Sequence, residues 1–89
     1  MKAVSNSSVL ISLSLIGRLE LLRDKFGKIY IPKAIWKEVV VDGEGEPGSE
    51  EVRKANWIEV VEATNKNIIG ALNEMVDAGE SETIALALQ

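Results

Sequence analysis

The sequence contains no cysteine and no histidine, and it has few aromatic residues and prolines. Without cysteine, neither disulfides nor thiolate metal sites can form. Without histidine, imidazole bases and Ser–His–Asp triads are excluded, and neither a nucleophile elbow nor a phosphate-binding glycine motif is present. No apolar run reaches the ~20 residues that span a bilayer, and no signal-peptide pattern opens the chain. We therefore expect a cytoplasmic protein whose chemistry uses carboxylates, hydroxyls, amides or lysines.

The charge of the chain is acidic overall and unevenly distributed. The 89 residues carry a net charge of −4 and are 46% hydrophobic, which predicts one small domain over residues 1–89. Residues 1–38 contain seven Lys/Arg and three Asp/Glu, whereas residues 39–89 contain three and eleven. An isoelectric point near 4.8 argues against a broad nucleic-acid-binding surface. Any contact with RNA or DNA should be local or assisted by a metal.

Apolar periodicity and turn residues divide the chain into alternating strands and helices. The predicted strands cover residues 2–5, 28–32 and 57–61, and five predicted helices cover residues 7–17, 18–27, 33–41, 49–54 and 66–76. A sixth helix is predicted to begin near Gly79 or Ser81 and is apolar over residues 83–88. Ser49 is expected to cap the fourth helix, Met75 is expected on the inner face of the fifth, and the apolar sixth should be buried. The alternation predicts an α/β fold with a parallel sheet. The last strand, which carries Glu59, is expected at a sheet edge.

Oxygen-bearing side chains occur where such a fold is expected to bind ligands. Asn6 follows the first predicted strand, and its amide either caps the next helix or contributes an oxygen to a Mg²⁺ site. Glu38 lies beside the apolar stripe of the third helix, either at the rim of the core or simply exposed. Glu80 and Glu82 precede the apolar last helix, where acids favour the helix dipole but can also line a cleft. Asp77 competes with them for that place.

Four segments in series resemble the PIN-domain family, in particular the branch known as predicted nucleic-acid-binding proteins, relatives of the VapC-type toxin ribonucleases. They are "VSNSSVLISLSLIGRLELL", "IYIPKAIWKEVV", "GEPGSEEVRKANWIEVV" and "GESETIALAL". The resemblance covers nearly the whole chain. It implies a PIN-like α/β/α sandwich with a short parallel sheet, and Mg²⁺- or Mn²⁺-dependent cleavage of RNA. An antitoxin-like protein is then an expected partner.

The resemblance also implies which residues hold the metal. The family's first three acidic positions fall on Asn6, Glu38 and Glu80, with Glu82 an alternative to Glu80. Ser7 or Ser8 is expected to donate a hydrogen bond to the groups around the metal. Asn6 is neutral where the family often has aspartate, and a fourth acid would follow a strand beyond Gln89. We therefore expect a C-terminally truncated domain with a weak metal site and exposed apolar surface, and hence a homo-oligomer or a fragment. A catalytically silent PIN scaffold for oligomerisation or partner binding is the alternative.

Overall fold

The structure is a computed structural model that describes residues 3–89. It confirms an α/β fold with a short parallel sheet. The elements, in chain order, are α1 (Ser7–Leu15), α2 (Glu20–Phe26), β1 (Ile29–Pro32), α3 (Lys33–Trp36) continuing into a π-helical turn (Lys37–Val41), α4 (Ser49–Lys54), β2 (Ile58–Val61), α5 (Lys66–Leu72) and α6 (Ala78–Leu88).

The sheet is formed by β1 and β2, which run parallel with Ile29 opposite Ile58. On the other side of β1, Val4 makes a single parallel bridge to Tyr30. The first predicted strand is therefore reduced to this bridge, and its residue 2 lies outside the described residues. Within residues 3–89, β2 pairs only with β1, so Glu59 lies in an edge strand as expected.

Helices cover both faces of this sheet because alternate residues of β1 point in opposite directions. Ile29 and Ile31 are buried in the larger core, together with Leu10, Leu19, Ile35, Val39, Val40 and Val52. Tyr30 packs on the opposite face against a smaller core of Ala63, Ala85 and Leu86. The first four helices therefore pack on one face and α5 and α6 on the other. This arrangement is an α/β/α sandwich.

The cap of α4 differs from the sequence prediction, although its bounds agree. The N-cap is Gly48, whose φ of +99° is in the left-handed region that glycine tolerates. The Glu51 carboxylate accepts a hydrogen bond from the Gly48 N–H at 3.2 Å. Ser49 is buried instead, and its hydroxyl donates to the Val40 carbonyl at 2.9 Å. The prediction of Ser49 as the cap was wrong because its hydroxyl bonds to a distant carbonyl.

The last two helices also have different bounds from those predicted. α5 ends at Leu72, and Met75, predicted to face inward, is 81% exposed. α6 begins at Ala78, slightly before the predicted start near Gly79 or Ser81, because Asp77 caps it. Its apolar part is buried on one face only, since Leu88 is 69% exposed. α6 is the longest helix among residues 3–89 and has 11 residues, so none of these helices could cross a membrane.

Candidate functional site

Asn6 lies at the carboxyl end of the segment that bridges to β1, and it begins α1. Its backbone is extended, with φ −96° and ψ 174°, and its side-chain oxygen accepts a hydrogen bond from the Val9 N–H at 3.0 Å. The expectation that Asn6 caps the first helix is confirmed. Because an amide oxygen has two lone pairs, this bond leaves one of them free. The side chain is exposed and can use it for a second partner.

Glu38 lies in the π-helical turn that continues α3. The turn is closed by a hydrogen bond of 2.8 Å from the Asp42 N–H to the Lys37 carbonyl, and π turns occur frequently at functional sites. Val39 and Val40 are buried in the core, whereas Glu38 is exposed. Its carboxylate makes no hydrogen bond or ion pair with any residue from 3 to 89. This carboxylate is therefore available to bind a ligand from solution.

The start of α6 provides two further acids. The Asp77 side chain accepts a hydrogen bond from the Glu80 N–H at 2.8 Å and so caps the helix. The Glu80 carboxylate, like that of Glu38, has no partner in the described part of the chain. Both acids lie at the positive end of the helix dipole, which lowers the electrostatic cost of placing them together.

Gly79 allows the π-helical turn and α6 to approach each other closely. A Cβ atom at this position would lie 3.0 Å from Ile35 Cδ1, 3.1 Å from Glu38 Oε1 and 3.5 Å from Asp77 Oδ1. The carboxylates of Glu38 and Asp77 are therefore both within contact distance of one point. They come from segments almost forty positions apart, and the absence of a side chain at residue 79 makes this arrangement possible.

The side chains at the start of α1, in the π-helical turn and at the start of α6 line one pocket of about 280 Å³, called here the acidic pocket. Asn6, Glu38 and Glu80, which the sequence predicts as site residues, all contribute to it. The other lining residues are Ser7, Ser8, Ile35 and Asp77. Three carboxylates and several neutral oxygens thus face the same space, and no lysine or arginine among residues 3–89 lines it. The arrangement favours a cation over an anion.

Glu82 is not part of this pocket. It is two positions from Glu80 on α6, so its side chain leaves the helix on a different face. It lines a separate pocket with Lys33, Lys37 and Lys66. Among the predicted candidates, the structure brings Asn6, Glu38 and Glu80 together and leaves Glu82 apart.

The donor set of the acidic pocket fits Mg²⁺ or Mn²⁺ in chemistry. Both ions prefer oxygen ligands, and Mg²⁺ commonly uses only one or two protein carboxylates, with waters and substrate phosphates completing its coordination. Within residues 3–89, no three acidic side chains are close enough together to enclose a metal by themselves. The pocket therefore suits a partly hydrated cation rather than a fully protein-coordinated one.

The comparison with known families agrees with this fold. A family model described as PIN domain matches residues 2–89, so the chain belongs to the PIN-domain family. No curated protein and no solved structure matches the chain significantly. The family is one of nucleases and nucleic-acid-binding proteins, and its members generally use divalent metals.

Asp77 is the pocket residue that the sequence interpretation weighed least. The sequence predicts it only as a competitor of Glu80 and Glu82, because a helix start near Gly79 or Ser81 leaves Asp77 in the preceding turn. A signal was present: an aspartate followed three positions later by a glutamate, before an apolar run, resembles a capping box. This pattern places Asp77 at the helix start and hence beside Glu80.

Proposed function

We propose that this chain is a metal-dependent nuclease that cleaves RNA phosphodiester bonds at the acidic pocket. The observation that carries the proposal is the meeting of Glu38 and Glu80 in one pocket without an ion-pair partner for either carboxylate among residues 3–89. Two unpaired carboxylates side by side repel each other. A bound cation relieves that repulsion.

Each residue has a distinct part in this proposal. Glu38 and Glu80 bind the cation, and Asn6 contributes its free lone pair or holds a water bound to the ion. Asp77 caps α6 and adds a further carboxylate oxygen to the pocket, beside the proposed ligands. The hydroxyls of Ser7 and Ser8, which line the same pocket, can donate hydrogen bonds to a phosphate oxygen. Unpaired N–H groups in the first turn of α1 favour the same anionic group.

The cation would supply charge neutralisation at the phosphate and an activated water at neutral pH. The protein groups hold the scissile phosphate beside the acids and orient the attacking water. Because the chain has no histidine, proton transfer from that water falls to a carboxylate. Glu80 is the better candidate, since Glu38 is close to Asp77 and is better placed to share the ion with it.

The neutral residue at position 6 favours a second candidate function. An amide in place of a carboxylate removes one negative charge, and a weaker cation site is expected. The alternative is therefore a catalytically silent PIN scaffold that binds a partner without cleaving RNA. It predicts weak or absent metal binding and no change in cleavage when the glutamates are neutralised.

Cleavage of a labelled single-stranded RNA in the presence of Mn²⁺ tests the proposal. Glu38→Gln and Glu80→Gln should each lower the rate at least about tenfold, as expected when metal binding is impaired. Glu82→Gln is the matched control, because it makes the same chemical change on α6 outside the pocket, and it should cleave like the wild type. Equal cleavage by all four proteins would indicate a contaminating nuclease and support the silent scaffold.

The finer proposal is that the protein is the toxin of a toxin–antitoxin pair. Its support is the resemblance to the toxin ribonuclease relatives and the membership of the PIN family. Induced expression of the wild type should then arrest bacterial growth, and expression of Glu38→Gln at the same level should not. Arrest by both proteins would count against RNA cleavage as its cause.

A further inference from the structure

Glu38 lies in the π-helical turn that directly follows α3. A π turn contains one residue more than an α turn, since it is closed by an i→i+5 rather than an i→i+4 hydrogen bond. If the turn relaxed to an α-helix, the extra residue would move out of the turn. Neighbouring side chains would then rotate by up to about 100° around the helix axis. The contact of Glu38 with the start of α6 depends on this local geometry.

Contacts from the following segment hold the turn in place. The Val40 carbonyl lies at the end of the helical segment, where carbonyls have no partner within the helix. The buried hydroxyl of Ser49 donates to it at 2.9 Å, and Ser49 is only 1% exposed. Gly43 packs against the same turn so closely that a Cβ atom there would lie 2.5 Å from the Val39 carbonyl oxygen.

We propose that Ser49 is a positioning residue for the metal site. Its hydroxyl holds the π-helical turn, and the turn directs the Glu38 carboxylate toward Gly79 and Asp77. Ser49 is not among the residues that line the acidic pocket, so the role proposed for it is one of positioning. The inference rests on the proposed role of Glu38 as a metal ligand.

A purely structural role for Ser49 would lower stability without a specific effect on metal binding. The same helix turn offers a matched control: Glu51 accepts one hydrogen bond from the Gly48 N–H, but it makes no bond to the π-helical turn. Ser49→Ala and Glu51→Ala each remove one hydrogen bond at the start of α4. Only Ser49→Ala frees the Val40 carbonyl.

The experiment measures Mn²⁺ binding by isothermal titration calorimetry, with thermal unfolding used to confirm that each variant is folded. Ser49→Ala should weaken binding about tenfold, the size of effect expected for residues that orient metal ligands. Glu51→Ala should bind like the wild type, and Ser49→Thr, which keeps the hydroxyl, should restore most of the affinity. If the alanine variant is unfolded, Ser49→Cys, which keeps the volume but is a weak donor, should show the same direction of change.

Two outcomes separate this inference from the proposed function. If Glu38→Gln binds Mn²⁺ as tightly as the wild type, the proposed metal site itself is wrong. If Glu38→Gln loses binding but Ser49→Ala and Glu51→Ala change it equally, the metal site stands and the positioning role of Ser49 is overturned.

Discussion

Replacement of Gly79 by alanine should separate metal binding from stability. The added methyl group would meet Glu38 Oε1 at 3.1 Å and Ile35 Cδ1 at 3.0 Å. Both atoms are the ends of flexible side chains and can withdraw by a few tenths of an ångström. The Glu38 carboxylate would then lie farther from Asp77. Because the cation is proposed to bind beside these two carboxylates, its site would be altered.

The effect of this substitution on folding should be small. Gly79 is within α6 and has no positive φ, so alanine at this position gains up to about 1 kcal/mol of helix propensity. The close contacts oppose that gain, since moderate overpacking costs about 1–3 kcal/mol. The free energy of unfolding should therefore change by no more than about 2 kcal/mol.

The effect on metal binding should be visible as a smaller thermal shift. At a free Mn²⁺ concentration of 100 times the wild-type Kd, binding stabilises the wild type by about 2.7 kcal/mol. A tenfold loss of affinity reduces this to about 1.4 kcal/mol. For a domain of this size, the difference corresponds to roughly 5–10 °C in the Mn²⁺-induced change of Tm.

Thermal unfolding with and without Mn²⁺ measures both quantities, and Gly70→Ala is the matched control. Gly70 lies in α5, and no atom lies within 4 Å of a Cβ built on it. This variant should be slightly more stable and show the full Mn²⁺ shift. An undiminished shift in Gly79→Ala would refute the conclusion that the ion binds beside Glu38 and Asp77.

Four further substitutions, two of them at Asn6, test other parts of the structure. Asn6→Ala should cost about 1 kcal/mol in chemical unfolding, because the hydrogen bond to the Val9 N–H is lost. Asn6→Asp should keep that cap and bind Mn²⁺ more tightly in calorimetry; weaker binding would contradict its place beside the ion. Gly43→Ala should lower the unfolding free energy by about 1–3 kcal/mol through overpacking, and an unchanged midpoint would refute the close approach to the π-helical turn. Gln89→Ala should cost about 1 kcal/mol, since its side chain accepts two hydrogen bonds from the loop after β2; equal thermal stability would show that this contact is not maintained in solution.

The sequence was sufficient to predict most of the elements and three of the residues that meet in the pocket, Asn6, Glu38 and Glu80. The apolar periodicity located α1 and α3, and the glycine- and proline-containing turn before Ser49 located α4, because these signals are local. The rule that sites form at the carboxyl ends of parallel strands selected Asn6. Glu38 and Glu80 were candidates because they lie beside apolar helical segments, and the family resemblance joined the three. Their presence in one pocket agrees with both sources. Their role in metal binding stays a prediction until it is measured.

The features that the sequence did not reveal depend on contacts between distant segments. Serine is a residue type that often caps helices, but the Ser49 hydroxyl donates its hydrogen bond to a carbonyl nine positions away. The π-helical turn around Glu38 leaves no mark in the apolar periodicity, because its buried valines fit an α-helix equally well. Glu82 and Glu80 could be distinguished only once the start of α6 was known, since that start decides which acid faces the pocket.

Asn6 and Asp77 both cap a helix and line the pocket, and this affects how variants of this protein should be interpreted. Each of these side chains begins a helix through a hydrogen bond to its backbone, so a PIN scaffold without catalytic activity would still gain stability from them. Their presence in a relative is therefore weak evidence that the relative is active. Glu38 and Glu80 make no such bond through their side chains in the described chain. Under the proposed function, their replacement is the change by which an inactive member would be recognised.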